Sequence, residues 1–389
     1  MASFFGLKIG SFQTIFFVGL VLAYHVVILV EGGRDIASRL SEEEDLELER
    51  QLNILNKSPI KTIHTGWGDI YDCIEFHKQP AFDHPLLKNR TITISKIDEP
   101  VSTRPHKTLM SQIEGCPKRT VPIRRTTKED LIRAKHLSSS SNTAGDEYFA
   151  GMTVQQKGER YFGASGLANV WNPKVNTDQS SGAEIQLVAG PIEHANYIIF
   201  GWTVDPGLYG DNATRTYTYW SSDSGYTTGC YNTLCPGFVQ LHPTYTPFLH
   251  FNKTSVIAGE QIQLFSSIHM DPETGDWWLI IDQTVKVGYW PKDLFTLFHL
   301  GAEYIYWGGR VRSGKDGIAP EMASGSKLDD FPNHVGYYAS LNYTNEVEGD
   351  WILVQQGPIS VDCKGSYDAS WKYSEDHVLM YGGPGGPCA

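Results

Sequence analysis

The chain has 389 residues and a formal net charge of −12, and its short basic clusters never build a basic domain, which argues against binding to a phosphate backbone. Charged residues make up 20% and aromatics 12%, with 38 glycines, 20 tyrosines and 10 tryptophans, a mix that favours twisted sheets joined by glycine-rich turns over helical bundles. The length allows a large core and room for two units.

The N-terminus reads as a targeting segment. Lys8 precedes a mostly apolar stretch, Thr14–Val30, and Glu31-Gly32-Gly33 follows. We expect a cleaved signal peptide over residues 1–33, and so a secreted, extracellular protein; a retained membrane anchor is the alternative. Residues 34–60 are acidic with helical patterning, and Ser41-Glu42-Glu43-Glu44 has the form of a helix start. Short strands are predicted at Ile70–Phe76 and Thr91–Ile97. Residues 34–130 make a small unit that a disulfide would help to fold. Residues 131–146, with the run Ser138–Ser141, read as a flexible linker.

From residue 147 to the end the pattern is strand and turn. Strands are predicted at Tyr148–Gln155, Gly166–Trp171, Ala183–Ala189, Tyr197–Val204, Thr214–Trp220 and Phe238–Gln240. More follow at Gln261–Met270, Trp277–Gln283, Val285–Trp290, Ala302–Val311, Gly336–Ser340 and Trp351–Val354. One short helix is predicted, Lys292–His299 after Pro291. The closing YGGPGGPCA reads as a tail pinned by Cys388. Short strands without intervening helices predict an all-β domain, an antiparallel β-sandwich or barrel. The strand Tyr197–Val204 has two faces: Ile198, Phe200, Trp202 and Val204 point to a core, while Tyr197, Ile199, Gly201 and Thr203 point elsewhere.

Six cysteines, Cys73, Cys116, Cys230, Cys235, Cys363 and Cys388, allow fifteen pairings, of which neighbour pairing is the simplest. Sequons at Asn56, Asn89, Asn212, Asn252 and Asn342 are glycan sites if the chain is secreted. No Walker loop, GxGxxG-to-helix turn, HExxH or GxSxG occurs, and no histidines or cysteines stand at metal-ligand spacing. No cofactor or metal is expected.

Long segments resemble the plant neprosin family. In the first third these are YDCIEFHKQPAFDHPLLKNRT (71–91) and CPKRTVPIRR (116–125). Further on they are VWNPKV (170–175), GWTVDPGLYGDN (201–212), YWSSDSGYTTGCYNTLCPGFVQ (219–240), DPETGDWWL (271–279), VGYWPKDLF (287–295), WGG (307–309) and YGGPG (381–385). The resemblance covers residues 62–389. It implies a secreted protein with an activation pro-domain in cis and a glutamic peptidase domain that cuts after proline. That domain would be a sandwich of two antiparallel sheets with an active cleft on one of them. It also implies the neighbour disulfides.

Such catalysis needs two carboxyl groups, one as base for a water and one as acid for the amide nitrogen. The family places one glutamate two residues before the Gly-Trp of the GW strand and the other directly after Trp-Gly-Gly. Here those positions hold Ile199 and Arg310. Alternation puts both on the face the glutamates would occupy. The resemblance therefore implies an impaired enzyme that still binds extended, proline-rich peptides. Trp202, Tyr219, Trp220, Trp277, Trp278, Tyr289, Trp290 and Trp307 are candidate stacking surfaces for proline, although alternating aromatics usually pack inward. Glu184 shares the cleft face with Gln186. It is expected either to pair with Arg310 across the cleft or to sit at a solvated rim. The alternative function is an active endopeptidase with Glu184 as surrogate carboxylate; Glu193 and Glu303 are weaker surrogates.

Overall fold

The computed structural model describes residues 41–88, 90, 113–139, 145–372 and 377–388. The expected signal segment, the strand Thr91–Ile97 and Asn89 lie outside these residues. The chain divides into two units, residues 1–51 and 52–389. In the first, helix α1 (Glu42–Leu55) begins where expected. Ser41 Oγ accepts from the Glu44 N–H and the Glu44 carboxylate accepts from the Ser41 N–H, both at 3.2 Å, a reciprocal cap that satisfies two orphan donors. No helix among the described residues is long and apolar enough to cross a membrane.

The second unit holds every described strand. A small three-stranded sheet comes first: β1 (Lys61–His64), β2 (Ile70–Glu75) and β3 (Thr120–Arg124), in that order. The Cys73–Cys116 disulfide ties it together. Helix α2 (Lys128–Ser139) follows, where a linker was expected. Thr127 and Asp130 cap it reciprocally, through Thr127 N to Asp130 Oδ2 (2.9 Å) and Asp130 N to Thr127 Oγ1 (3.1 Å). The nearly fully buried Asp130 also accepts from Arg124 and Arg133.

The rest is a sandwich of two antiparallel sheets, as the composition and the resemblance both implied. One sheet contains β4 (Glu147–Val154), β6 (Ser180–Ala189), β7 (Asn196–Val204), β8 (Arg215–Ser221), β9 (Cys230–Tyr231), β14 (Tyr304–Arg312) and β18 (Ile359–Val361). Its order is β18-β4-β14-β6-β7-β8-β9. The other sheet runs through β10 (Val239–Gln240), β13 (Val285–Trp290), β12 (Trp277–Ile281), β11 (Gln263–Met270), β5 (Gly163–Asn169), β16 (Gly336–Thr344), β20 (Val378–Gly382) and β19 (Asp368–Lys372), with β17 (Ile352–Leu353) on β16. One core fills the gap between them, built from Ile185, Leu187, Ile198, Phe200, Trp202, Ile305 and Trp307 on one side and Leu264, Ile268, Trp277, Leu279 and Tyr338 on the other. Two indoles staple the layers: Trp202 Nε1 donates to the Asn169 carbonyl (2.9 Å) and Trp307 Nε1 to the Ser165 carbonyl (3.1 Å).

The three-stranded sheet packs on the outer face of the second sheet. Ile74, Phe76, Ala81, Val121 and Ile123 meet Val239, Trp278 and Tyr289 there. Buried charge ties the three-stranded sheet to the first sheet of the sandwich as well, since Asp69 holds Arg124 on β3 and Arg215 on β8.

Two further local expectations fail for identifiable reasons. The predicted helix Lys292–His299 is instead two short turns of 3₁₀ helix, Lys292–Leu294 and Phe298–Leu300. The Thr296 and Leu297 N–H groups donate to Asn196 Oδ1 (3.0 and 2.8 Å), which competes with a helical ladder, and Phe295 and Phe298 enter the core. The C-terminal segment is more than a tail, because Val378–Gly382 is a buried internal strand and β21 (Gly386–Pro387) pairs with β15 (Ile318–Ala319).

Candidate functional site

A cleft of about 680 Å³ opens on the outer face of the sheet that contains β6, β7 and β14. Period-two alternation builds it: the residues between the core positions of each strand face out. Tyr197 and Ile199 come from β7, Gln186 and Val188 from β6, and Tyr304 and Arg310 from β14. Tyr217, Tyr219 and Tyr231 form the wall on the side of β8 and β9, while Glu147 and Phe149 come from β4. The loops carrying Ile192 and Ser224 form a rim, locked by the Ser224 N–H donating to the Ala195 carbonyl (2.8 Å) and the Ala195 N–H to Ser224 Oγ (2.7 Å).

Ile199 and Arg310 thus line one cleft. The register places Ile199 in a row with Gln186 and Tyr306, and Arg310 in a row with Gly182 and Thr203. That is two strands across and four residues along, or about 16 Å between Cα atoms on a flat sheet.

Arg310 does not pair with Glu184, the first of the two alternatives for that carboxylate. Its guanidinium pairs through Nη2 with Glu147 Oε1, and the side chains are 14% and 41% exposed. The Coulomb attraction of Glu147 and Glu184 outweighs burial and holds the Arg310 pKa well above its ordinary value. Glu184 is neither an ion-pair partner within contact distance nor a rim residue. It is fully buried beneath the cleft, and Gln186 Nε2 donates to its Oε1. Its Oε2 has no hydrogen-bond partner among the described residues. Burial raises this carboxyl to about 7, with the Arg310 charge and the Gln186 amide acting in the other direction. Its cross-strand neighbours, Gly308 and Gly201, carry no side chain that could cover it. A Cβ on Gly308 would strike the Tyr306 hydroxyl, which folds over that glycine to donate to the Gly309 carbonyl (2.7 Å).

Glu193 lies on the exposed turn Ile192–His194, and Glu303 pairs with Arg160. Among the described residues no group of three His, Cys, Asp or Glu could hold a metal ion. Of the aromatics considered for proline stacking, Trp202, Trp220, Trp277, Trp290 and Trp307 belong to the sandwich core, and Trp278 and Tyr289 lie under the three-stranded sheet. Tyr219 alone of that set lines the cleft, tilted against Tyr231 with ring centroids 4.8 Å apart.

All six cysteines pair as neighbours: Cys73–Cys116, Cys230–Cys235 and Cys363–Cys388. Asn212 and Asn252 are exposed. The Asn56 side chain is engaged at both ends with the Thr126 backbone (2.8 and 2.9 Å), and Asn342 Nδ2 donates to the Ser340 carbonyl (2.7 Å).

Sequence reasoning missed Glu147. Nothing local marks it, since its meaning comes from β4 lying beside β14, with Arg310 opposite Phe149 and Arg312 opposite Glu147.

A family model described as Neprosin matches residues 177–384, and one described as Neprosin activation peptide matches residues 62–161. Among solved structures, a scytalido-glutamic peptidase with a transition-state analogue inhibitor is similar at 13% identity and a TM-score of 0.37, over 61% of this chain and 98% of its own. SCP-B, described as a member of the Eqolisin family of peptidases in a complex with the tripeptide Ala-Ile-His, is similar at 12% identity and a TM-score of 0.31, over the same shares.

Proposed function

This chain belongs to the neprosin family, with its own activation peptide and a peptidase-like domain, and on that footing we propose that it is a secreted protein that holds extended, proline-rich peptides in its cleft without cutting them. One observation carries the reading: the cleft presents the hydrocarbon of Ile199 and the guanidinium of Arg310, the two positions where the resemblance implies carboxyl groups. Isoleucine has no proton to exchange, and arginine keeps its proton at any working pH. Acid–base assistance is typically worth roughly 10²–10⁴-fold per group, so hydrolysis by the two-carboxyl route is lost. The tyrosines of the walls support binding, since their rings offer flat apolar surface to proline. Three disulfides support an oxidising, extracellular setting, and there the exposed Asn212 and Asn252 would be the favoured glycan sites.

A second reading keeps the protein an endopeptidase, with Glu184 as its carboxylate. Its favouring observation is a carboxyl near 7 with one oxygen unpartnered. Against it, Glu184 lies under the cleft floor while Gln186 lines the cleft.

The test is incubation of the full chain with a proline-containing peptide from pH 3 to pH 8, with products read by mass spectrometry. No cleavage is expected from the unaltered chain, and the double replacement Ile199→Glu with Arg310→Glu should produce it. Cleavage by the unaltered chain that Glu184→Gln abolishes would replace the first reading by the second.

A further inference from the structure

We propose that the cleft grips its peptide by a carboxylate, with Arg310 as the fixed cation and Glu147 as the counter-ion that the ligand displaces. The proposal rests on the peptide-binding reading above and adds the chemistry that recognises the ligand.

The two members of the pair differ in freedom. Arg310 lies within β14, whose backbone is laddered on both sides, by β4 and β6. The backbone that carries it is therefore fixed, and its side chain, 14% exposed, is mostly packed against its neighbours. Glu147 is the first residue of β4, with a side chain 41% exposed, and it can turn towards water when a ligand carboxylate takes its place on Arg310. Among the described residues the cleft is lined by uncharged groups apart from one acid, Glu147, and one cation, Arg310. One hydrogen bond joins it to Glu147, whereas a guanidinium has five donors in a planar fork suited to a carboxylate. An incoming carboxylate can therefore make the two-pronged contact that Glu147 does not.

Glu184 sets the conditions. The charged and titratable groups around it are Arg310 and Tyr306 on β14, Glu147 on β4 and Tyr338 on β16; Gln186 on its own strand is neutral, and Gly201 faces it from β7. Protonated, Glu184 leaves Arg310 with a single exchangeable counter-ion. Ionised, it adds a fixed negative charge beside the ligand's own. Peptide carboxyls are ionised throughout this range, so binding should weaken as pH rises through about 7.

The experiment is calorimetric titration of the full chain with the peptide Pro-Tyr-Pro-Tyr-Pro at pH 6 and pH 8. Three forms are compared: free acid, C-terminal amide, and an amide with glutamate in place of the second tyrosine. At pH 6 at least one carboxylate form should bind about tenfold or more tighter than the plain amide. Which form it is tells whether the carboxylate is terminal or a side chain. The gap should shrink at pH 8 and vanish in Arg310→Gln. Glu147→Gln should tighten the carboxylate form by a larger factor than the amide, a comparison that holds even if Arg310→Gln does not fold. Equal binding of acid, glutamate and plain amide forms by the unaltered chain overturns the proposal but leaves the peptide-binding reading standing. Binding of none overturns both.

Discussion

Glu184 is a carboxyl with no exposure and one unsatisfied oxygen, the kind of group that titrates far from its ordinary range. Unfolded it releases its proton near 4.5, and folded near 7. Below 4.5 both states hold the proton and the fold carries no penalty. As pH rises from 4.5 to 7 the unfolded chain ionises first, so stability falls, and above 7 the loss is complete. Its size is on the order of 3 kcal/mol. Glu184→Gln keeps the bond from Gln186 and removes the titration. It should therefore stabilise the protein at pH 8 and be near neutral at pH 4, as read from urea midpoints. An equal effect at both pH values would mean that this carboxyl does not titrate in the fold. Glu147 bears on the outcome of the double replacement at Ile199 and Arg310. Replacing Arg310 leaves Glu147 without its cation, so adding Glu147→Gln to the Ile199→Glu, Arg310→Glu pair should raise peptide cleavage further.

At the level of strands, alternation accounts for most of what is seen. β7 sends Ile198, Phe200, Trp202 and Val204 inward and Tyr197 and Ile199 to the cleft, as its sequence predicts. Helix α2 was legible too, and was missed. Thr127-Lys128-Glu129-Asp130 before Leu131 is a cap signal, while the serine run after it has the composition of a linker. The edge strand β10 shows what pattern cannot supply. The buried side chain of Gln79 completes it, accepting from the Gln240 N–H (2.8 Å) and donating to the Gln240 carbonyl (3.1 Å). Gln79→Ala leaves both backbone groups unpaired, and should cost about 2 kcal/mol in chemical denaturation. A change within error would show that water replaces the glutamine there.

Across the whole molecule, buried charge holds the N-terminal sheet to the sandwich. Arg215, 3% exposed, is paired with Asp69 from that sheet and with Asp211 from its own loop. Burial pushes the Asp69 carboxyl up, but Arg215 and Arg124 outweigh it and hold it below its ordinary value. Its stabilisation is therefore present above the unfolded value of 3.8 and is lost only as pH falls through the lower folded value. This contact should survive at pH 4. Asp69→Ala removes the carboxylate that two largely buried guanidiniums share, leaving Arg215 with Asp211 and Arg124 with Asp130, and should lower stability by about 3 kcal/mol. The matching observation is a lower unfolding midpoint, with faster proteolysis of the N-terminal sheet. Unchanged proteolysis would show that apolar packing around Trp278 and Tyr289 suffices for docking.

By itself the sequence determined the all-β class, most strands, the neighbour disulfides and the outward-facing places of Ile199 and Arg310 on their strands. Each depends on local information: side-chain period, turn residues, cysteine spacing, or a run long enough to resemble a family. Only the tertiary structure decided that Arg310 meets Glu147, that Glu184 lies under the floor, and that most tryptophans are spent on the core. Those facts depend on which strands lie side by side. β4 and β14 are neighbours across more than half the described sandwich in sequence, and nothing in the period of either strand encodes the other.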